Sequence, residues 1–277
     1  MQCRHRLFPS CLIHGMAALV LLAFAGSTVA QGANRSTLTL FTDEPLAFVT
    51  SIQWQASPDQ APQPVCTGSV LSPVVVVTTA HCVAELVRSG DDGTRLHLVI
   101  GRDDLADVGA GIVRHPLRGA DGRARVFLHP RYDGTPGGNR YDVAVIQLDA
   151  PVGVNLRPVL SAAPEHFDAP WTVAGWGMGS ALRRASETYL RAAVHCSAHG
   201  DGDLDDTTRL CVERVDWLAP CASGNGSPLF AFVDGQRRPL QIGLASAASA
   251  CADQGPSSYV RLRDPEIRTF LARYVAL

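Results

Sequence analysis

Eight cysteines stand in this chain of 277 residues, and their spacing restricts its fold more than any other feature. Cys3 and Cys11 fall in an N-terminal stretch that reads as an export signal. Arg4 and Arg6 give a positive start, an apolar run follows from Met16 to Ala25, and Ser27, Thr28 and Ala30 supply the small residues of a cleavage site after Ala30. With residues 1–30 set aside, the remaining chain 31–277 keeps Cys66, Cys82, Cys196, Cys211, Cys221 and Cys251. An even cysteine count in an exported chain reads as a disulfide framework. Six cysteines admit 15 pairings. The simplest nests neighbours: Cys66–Cys82, Cys196–Cys211 and Cys221–Cys251. In the chain-entropy picture each such bond stabilises by up to ~3–4 kcal/mol. No Cys-x-x-Cys pair occurs, so neither a metal nor a cofactor is expected.

Composition narrows the classes further. Apolar residues make up 46% and charged residues 18%, which suits a packed domain and argues against disorder. The formal charge is −2, so no basic face is implied and no nucleic-acid partner is expected. The apolar part of the N-terminal stretch is shorter than the roughly 20 residues of a spanning helix, and no later run reaches that length. No membrane span is therefore expected in the mature chain.

Between the cysteines the pattern is all-β. Short Val-, Ile- and Thr-rich segments recur at Phe48 to Trp54, Val74 to Thr79, Leu96 to Ile100, Asp142 to Leu148, Thr172 to Gly175 and Gln241 to Ala245. Gly, Pro and Asp clusters such as Asp133 to Asn139 separate them. Many short strands with turn-rich links predict a barrel or sandwich. The end of the chain differs. Asp264-Pro265-Glu266 offers an N-cap, a proline for the first helical position and a first-turn acid. Ile267, Phe270, Leu271, Tyr274 and Val275 follow at helical spacing, predicting one amphipathic helix over 264–277.

Three stretches together resemble the trypsin-like (chymotrypsin-fold) serine peptidase family. Val76-Val77-Thr78-Thr79-Ala80-His81-Cys82 is similar to that family's strand leading into its catalytic histidine, with Cys66-Thr67-Gly68-Ser69 upstream where the partner cysteine belongs. Tyr141-Asp142-Val143-Ala144-Val145-Ile146-Gln147-Leu148, after His129-Pro130-Arg131-Tyr132, resembles the segment bearing the catalytic aspartate. Ala174-Gly175-Trp176-Gly177 resembles the Gly-Trp-Gly turn of the second barrel. The resemblance implies two six-stranded antiparallel β-barrels, about 38–160 and 161–263, with the site between them and a C-terminal helix. It also implies the nested cysteine pairing given above. A serine hydroxyl attacks a carbonyl only when a neighbouring imidazole takes its proton, and a buried carboxylate orients that imidazole. His81 would be the base and Asp142 the orienting group.

The nucleophile departs from the family pattern. Where the family has Gly-Asp-Ser-Gly-Gly-Pro, this chain reads Cys221-Ala222-Ser223-Gly224-Asn225-Gly226-Ser227-Pro228. Counted without gaps, Asn225 falls on the nucleophile; a gapped reading leaves the serine missing between Asn225 and Gly226. An amide side chain cannot be deprotonated to attack a carbonyl at neutral pH. Loss of the nucleophile from such a triad costs a factor of roughly 10⁶ in turnover, about 8 kcal/mol of barrier. Ser223 and Ser227 each stand two residues away, and a misplacement of ~1 Å already costs about 10²-fold.

Other positions depart as well. The position of the acid that would pair with a newly exposed N-terminus falls on Gly224, or on Asn225 in the gapped reading, and no Ile-Val-Gly-Gly segment stands upstream. The substrate-pairing strand falls on Ser246, Ala247 and Ala248, the base of the specificity pocket on Ala219, and a pocket-mouth glycine on Ser257. With no carboxylate at Ala219, any bound side chain should be small or apolar. The sequence thus predicts an exported, inactive peptidase homologue that holds a peptide or protein in its groove. The alternatives are an active hydrolase using Ser223 or Ser227, and a structural or secretion-linked partner protein. Nothing in the sequence assigns an oligomeric state.

Overall fold

The computed structural model describes residues 41–42, 45–134, 141–155, 157–165, 169–176, 181–197, 207–214, 224–247 and 256–277. Residues 1–30, which the sequence reads as an export signal, lie outside them.

The first lobe is one antiparallel sheet of seven strands: β1 (Val49–Trp54), β2 (Gln63–Ser72), β3 (Val75–Thr78), β4 (Leu96–Ile100), β5 (Ile112–Arg114), β6 (Val126–Leu128) and β7 (Ala144–Gln147). Their order is β5-β4-β1-β2-β3-β7-β6. The sheet curls, but β5 and β6 do not pair with each other, so the closed six-stranded first barrel implied by the resemblance is replaced by an open half-barrel. Past Arg114 the chain keeps isolated bridges, Pro116 to Leu148 and Arg118 to Ala124, and backbone bonds from Asp149 N to His115 O (2.9 Å) and from Leu117 N to Gln147 O (2.7 Å).

The second lobe holds β8 (Val159–Leu160), β9 (Trp171–Gly175), β10 (Arg184–Arg191), β11 (Arg209–Arg214), β12 (Pro228–Ala231), β13 (Leu240–Ala247) and β14 (Ser257–Arg261). Their order is β8-β13-β12-β9-β10-β11-β14, and β13 pairs with β14 as well, which closes six strands into a barrel. β8 adds to β13 as a parallel edge. Outside the two lobes' sheets, Phe41–Thr42 pairs in parallel with Gly153–Val154.

The continuous apolar run Val75-Val76-Val77 has a structural reason, since β3 is buried on both faces. Val76, with Phe48, Ile52 and Ile146, packs into a cluster that also takes in Trp176 and Phe230 of the second lobe. The rings of Phe48 and Phe230 meet edge to face at 5.1 Å. Val75 and Val77 point the other way, into a cluster with Leu244, Val260 and the last helix. β7 alternates in the same manner, Ile146 to the first cluster and Val145 to the second. The lobes therefore share hydrophobic cores across the strands that end beside the site, and a buried hydrogen bond from Ser69 Oγ to Gln241 Oε1 (2.7 Å) adds to them.

Three helices occur among the described residues: α1 (Ala84–Ser89), α2 (Ala193–Ser197) and α3 (Pro265–Leu271). In α3 the Asp264 carboxylate accepts from the backbone N–H of Glu266 (2.9 Å) and Ile267 (3.0 Å), with Pro265 at the first position as the sequence predicts. Ile267, Phe270 and Leu271 are buried, each worth about 1.5–3 kcal/mol. The helix is shorter than the predicted 264–277. After Leu271 the chain tightens into i to i−3 bonds, Arg273 to Phe270 and Tyr274 to Leu271. Tyr274 and Val275 still reach the core. No helix among the described residues is long and apolar enough to cross a membrane. Cys66–Cys82 and Cys196–Cys211 are bonded. Cys221 and Cys251 lie outside the described residues.

Candidate active site

His81 leaves the end of β3 in a single 3-10 turn, Ala80–Cys82. The disulfide from Cys82 to Cys66 ties that turn to β2. Asp142 enters from the start of β7 and is fully buried. Its carboxylate accepts three hydrogen bonds: from the His81 backbone N–H at Oδ1 (2.9 Å), from His81 Nδ1 at Oδ2 (2.7 Å), and from Ser246 Oγ at Oδ2 (2.6 Å). An ionised carboxylate only accepts, so Nδ1 carries the proton and Nε2 presents a lone pair. The His81 side chain is 25% exposed, so that lone pair is the basic group of the site. Asp142, with no exposure, is insulated from solvent by its own donors.

The chain is bent sharply to present this carboxylate. Tyr141 has φ +57°, a left-handed conformation that a bulky residue adopts only when its surroundings force it. Here the forcing is visible. The His129 ring stacks on Tyr141 at 4.8 Å, and the Arg131 guanidinium lies 4.5 Å from the Tyr141 ring centroid. Backbone bonds from His129 N to Val143 O (2.9 Å) and from Val143 N to Tyr141 O (2.7 Å) fix the bend. Burial holds the His129 imidazole below its usual pKa, against the opposing pull of Glu266 and Asp264. The Tyr132 hydroxyl is pushed up, first by burial and then by the Asp142 charge.

The segment that should carry the nucleophile is seated beside this pair by bonds on two sides. The Asn225 carbonyl accepts from Thr67 N (2.8 Å), and Thr67 follows the Cys66 that is bonded to Cys82. Gly226 N donates to Ala245 O (2.7 Å), and Ala245 precedes the Ser246 that holds Asp142. The Asn225–Gly226 segment is thus held on one side to the residue after Cys66, whose disulfide partner follows His81, and on the other to the residue before Ser246. Gly226 is required there: its φ is +83°, and a Cβ would lie 2.0 Å from Thr67 O and 2.4 Å from Thr78 Oγ1. Thr78 Oγ1 itself donates to Thr67 O (2.7 Å), so the receiving surface is braced.

Ser227 is fully buried, and its Oγ has no hydrogen-bond partner among the described residues. Ser246, read from the sequence as part of the substrate strand, turns its hydroxyl onto Asp142. That role carries no local sequence signal; only the register of β13 against the first lobe reveals it. Ala247 pairs with Ser258 across β13 and β14. Ser257 opens β14, its carbonyl 3.6 Å from Cys196 Sγ. Ser223, Ala219 and Ala248 lie outside the described residues. Cys66, His81 and Cys82 gather their N and S atoms closely enough to suggest a metal site. Both sulfurs are committed to a disulfide, so the thiolates that a metal would need are not there.

A half-barrel and a closed barrel that share their cores, with a buried aspartate orienting a partly exposed histidine at the seam, define the scaffold of a chymotrypsin-type peptidase. The sequence profile of the Trypsin family matches residues 45–265, and the chain belongs to that family. It is 25% identical over 208 residues to a chymotrypsin of Phaedon cochleariae, covering 71% of this chain and 68% of that protein. It is 26% identical over 230 residues to a trypsin of the same beetle, with 78% and 81% covered. A venom serine protease of Polistes dominula is 21% identical over 210 residues, with 71% and 72% covered. The fold is similar to that of the Vibrio cholerae VesB protease, with a TM-score of 0.61 at 19% identity over 85% of this chain; the match spans 66% of the length of the Vibrio chain.

Proposed function

We propose that this protein is an exported trypsin-family homologue that has kept the base and its carboxylate, has lost the nucleophile, and binds a peptide or protein segment in the groove between its lobes without cleaving it. The observation that carries the reading is the residue type at position 225, a carboxamide where the family has its serine, in a segment held by Thr67 N to Asn225 O and by Gly226 N to Ala245 O. The complete burial of Ser227 supports it, because that hydroxyl could meet a substrate only if the loop left its seat. Export is supported by the residue 1–30 pattern and by the two disulfides. The base His81 and the orienting group Asp142 would then hold the groove's shape rather than move a proton.

A peptide array probed with the purified protein, alongside mass spectrometry of the same peptides after prolonged incubation, tests this. Binding with every peptide intact is the expected result. Cleavage that disappears in His81→Ala would establish the displaced-serine reading. Neither binding nor cleavage would favour a structural or secretion-linked role.

A further inference from the structure

The two disulfides among the described residues sit in opposite chemical surroundings. Cys196 and Cys211 are buried, and Cys196 Sγ faces the Ser257 carbonyl oxygen at 3.6 Å. A carbonyl oxygen has no proton to offer and repels negative charge on a neighbouring sulfur. Cys66 and Cys82 are only partly buried. Cys82 lines a pocket of about 390 Å³ together with Trp54, Val65 and Leu86, so a second molecule can approach the bond from that side.

The groups around Cys82 Sγ favour negative charge on it. Thr79 Oγ1 lies 3.0 Å away. A disulfide sulfur carries no hydrogen, so the hydroxyl is the donor. His81 Nε2 lies 3.7 Å from the same sulfur, and Asp142 holds the opposite ring nitrogen at 2.7 Å. While the disulfide stands, Nε2 has no proton to take and the pair only shapes the groove. Once the disulfide opens, a proton on Nε2 would place an imidazolium beside the Cys82 thiolate, with the buried carboxylate behind it. A thiolate is stabilised by a neighbouring protonated histidine, and an imidazolium by the aspartate that orients it. Stabilising the reduced form makes a disulfide a stronger oxidant.

We propose that Cys66–Cys82 is a redox-active disulfide that takes two electrons from a dithiol on a partner protein, with Cys82 as the leaving thiolate and His81 as the group that stabilises it. In the first step a partner thiolate attacks Cys66 Sγ, the Cys66–Cys82 bond breaks, and its electron pair leaves on Cys82. The proton released by that partner thiol reaches His81 Nε2 through solvent. In the second step the partner's other thiolate attacks the partner sulfur of the mixed disulfide, and Cys66 leaves and takes the remaining proton. The partner ends as a disulfide, and the protein has gained two electrons and two protons. No residue of the 224–227 segment takes part, so the exchange site stands whether or not Asn225 leaves the protein inactive.

The test equilibrates the purified, disulfide-bonded protein in glutathione buffers of stepped reduced-to-oxidised ratio at neutral pH, then quenches, alkylates and maps each cysteine by mass spectrometry. The reduction constant of Cys66–Cys82 should exceed that of Cys196–Cys211 by roughly 100-fold, about 60 mV. His81→Ala should lower it roughly ten-fold, about 30 mV, and Thr79→Val a few-fold. A merely structural histidine gives the reverse sign, because loosening the turn eases opening of the bond. Two measurements need no variant. In the reduced protein iodoacetamide should modify Cys82 roughly ten-fold faster than Cys66 at about pH 6. The oxidised protein should convert the peptide Gly-Cys-Gly-Ser-Gly-Cys-Gly amide to its disulfide, one for each Cys66–Cys82 bond opened. Equal constants for the two disulfides, an unchanged or larger constant in His81→Ala, equal alkylation of Cys66 and Cys82, or a peptide left reduced would each overturn the exchange site. None of these readouts depends on peptide-bond cleavage, so their failure is distinct from failure of the inactive-homologue reading.

Discussion

Replacing Gly226 by alanine tests how the Asn225 loop is seated. The new Cβ would lie 2.0 Å from the Thr67 carbonyl oxygen, and restoring an ordinary 3.4 Å contact requires a shift of about 1.4 Å. The backbone on both sides is pinned by Asn225 O to Thr67 N and by Gly226 N to Ala245 O, so the shift breaks one or both bonds. Each contributes about 0.5–1.5 kcal/mol. A non-glycine residue at φ +83° adds about 1–2 kcal/mol. The expected loss is therefore about 1.5–5 kcal/mol. Gly235→Ala is the control: its φ is +77°, but nothing stands within 4 Å of the added atom, so only the backbone cost of about 1–2 kcal/mol applies. Urea unfolding followed by tryptophan fluorescence, with disulfides intact, measures both. If Gly226→Ala costs no more than Gly235→Ala, the loop does not sit against Thr67, and the placement of Asn225 beside His81 loses its support.

Three further outcomes follow from the same geometry. Ser246→Ala removes one of three donors from a buried carboxylate and should cost about 1.5–3 kcal/mol in urea unfolding; a loss under about 0.5 kcal/mol would mean that Asp142 does not depend on it. The lowered pKa of His129 means that the unfolded chain takes up its proton first on acidification, so stability is fully present above about pH 6.5 and falls below it. In His129→Phe, which keeps an aromatic ring against Tyr141, the fall in unfolding midpoint between about pH 6.5 and 5 should be shallower than in the parent, and an unchanged slope would contradict this. Asp264→Ala uncaps α3 and should lower stability by about 1 kcal/mol, with Asp264→Asn restoring most of it, as read by thermal melts.

Much of the architecture was legible because its causes are local. β3 shows in the sequence as an unbroken Val run, since both its faces are buried, and it ends three residues before His81. The α3 start was legible from Asp264-Pro265-Glu266, where cap chemistry is written in adjacent residues. The helix end was not, because Tyr274 and Val275 pack on the core from a tightened turn at nearly the spacing that a longer helix would give. The half-barrel of the first lobe was not legible, because whether the chain past Arg114 continues as a strand or as isolated bridges is set by its pairing with distant segments. In the site, the flanks of His81 and Asp142 pointed to the pair that the fold brings into hydrogen-bond contact. The Ser246 hydroxyl on Asp142 joins residues 104 apart in sequence, and the strained Tyr141 depends on His129 and Arg131 arriving from another segment. Contacts of that kind exist only once the lobes have packed.

The central claim is that the catalytic base survives without anything to activate. Treatment of the purified protein with a biotinylated fluorophosphonate, beside an active trypsin, measures this most directly, because the reagent bonds only to an activated serine. The account predicts an unlabelled chain, and the same silence in His81→Ala. A label mapped to Ser223 or Ser227, and lost when His81 is replaced, would contradict it.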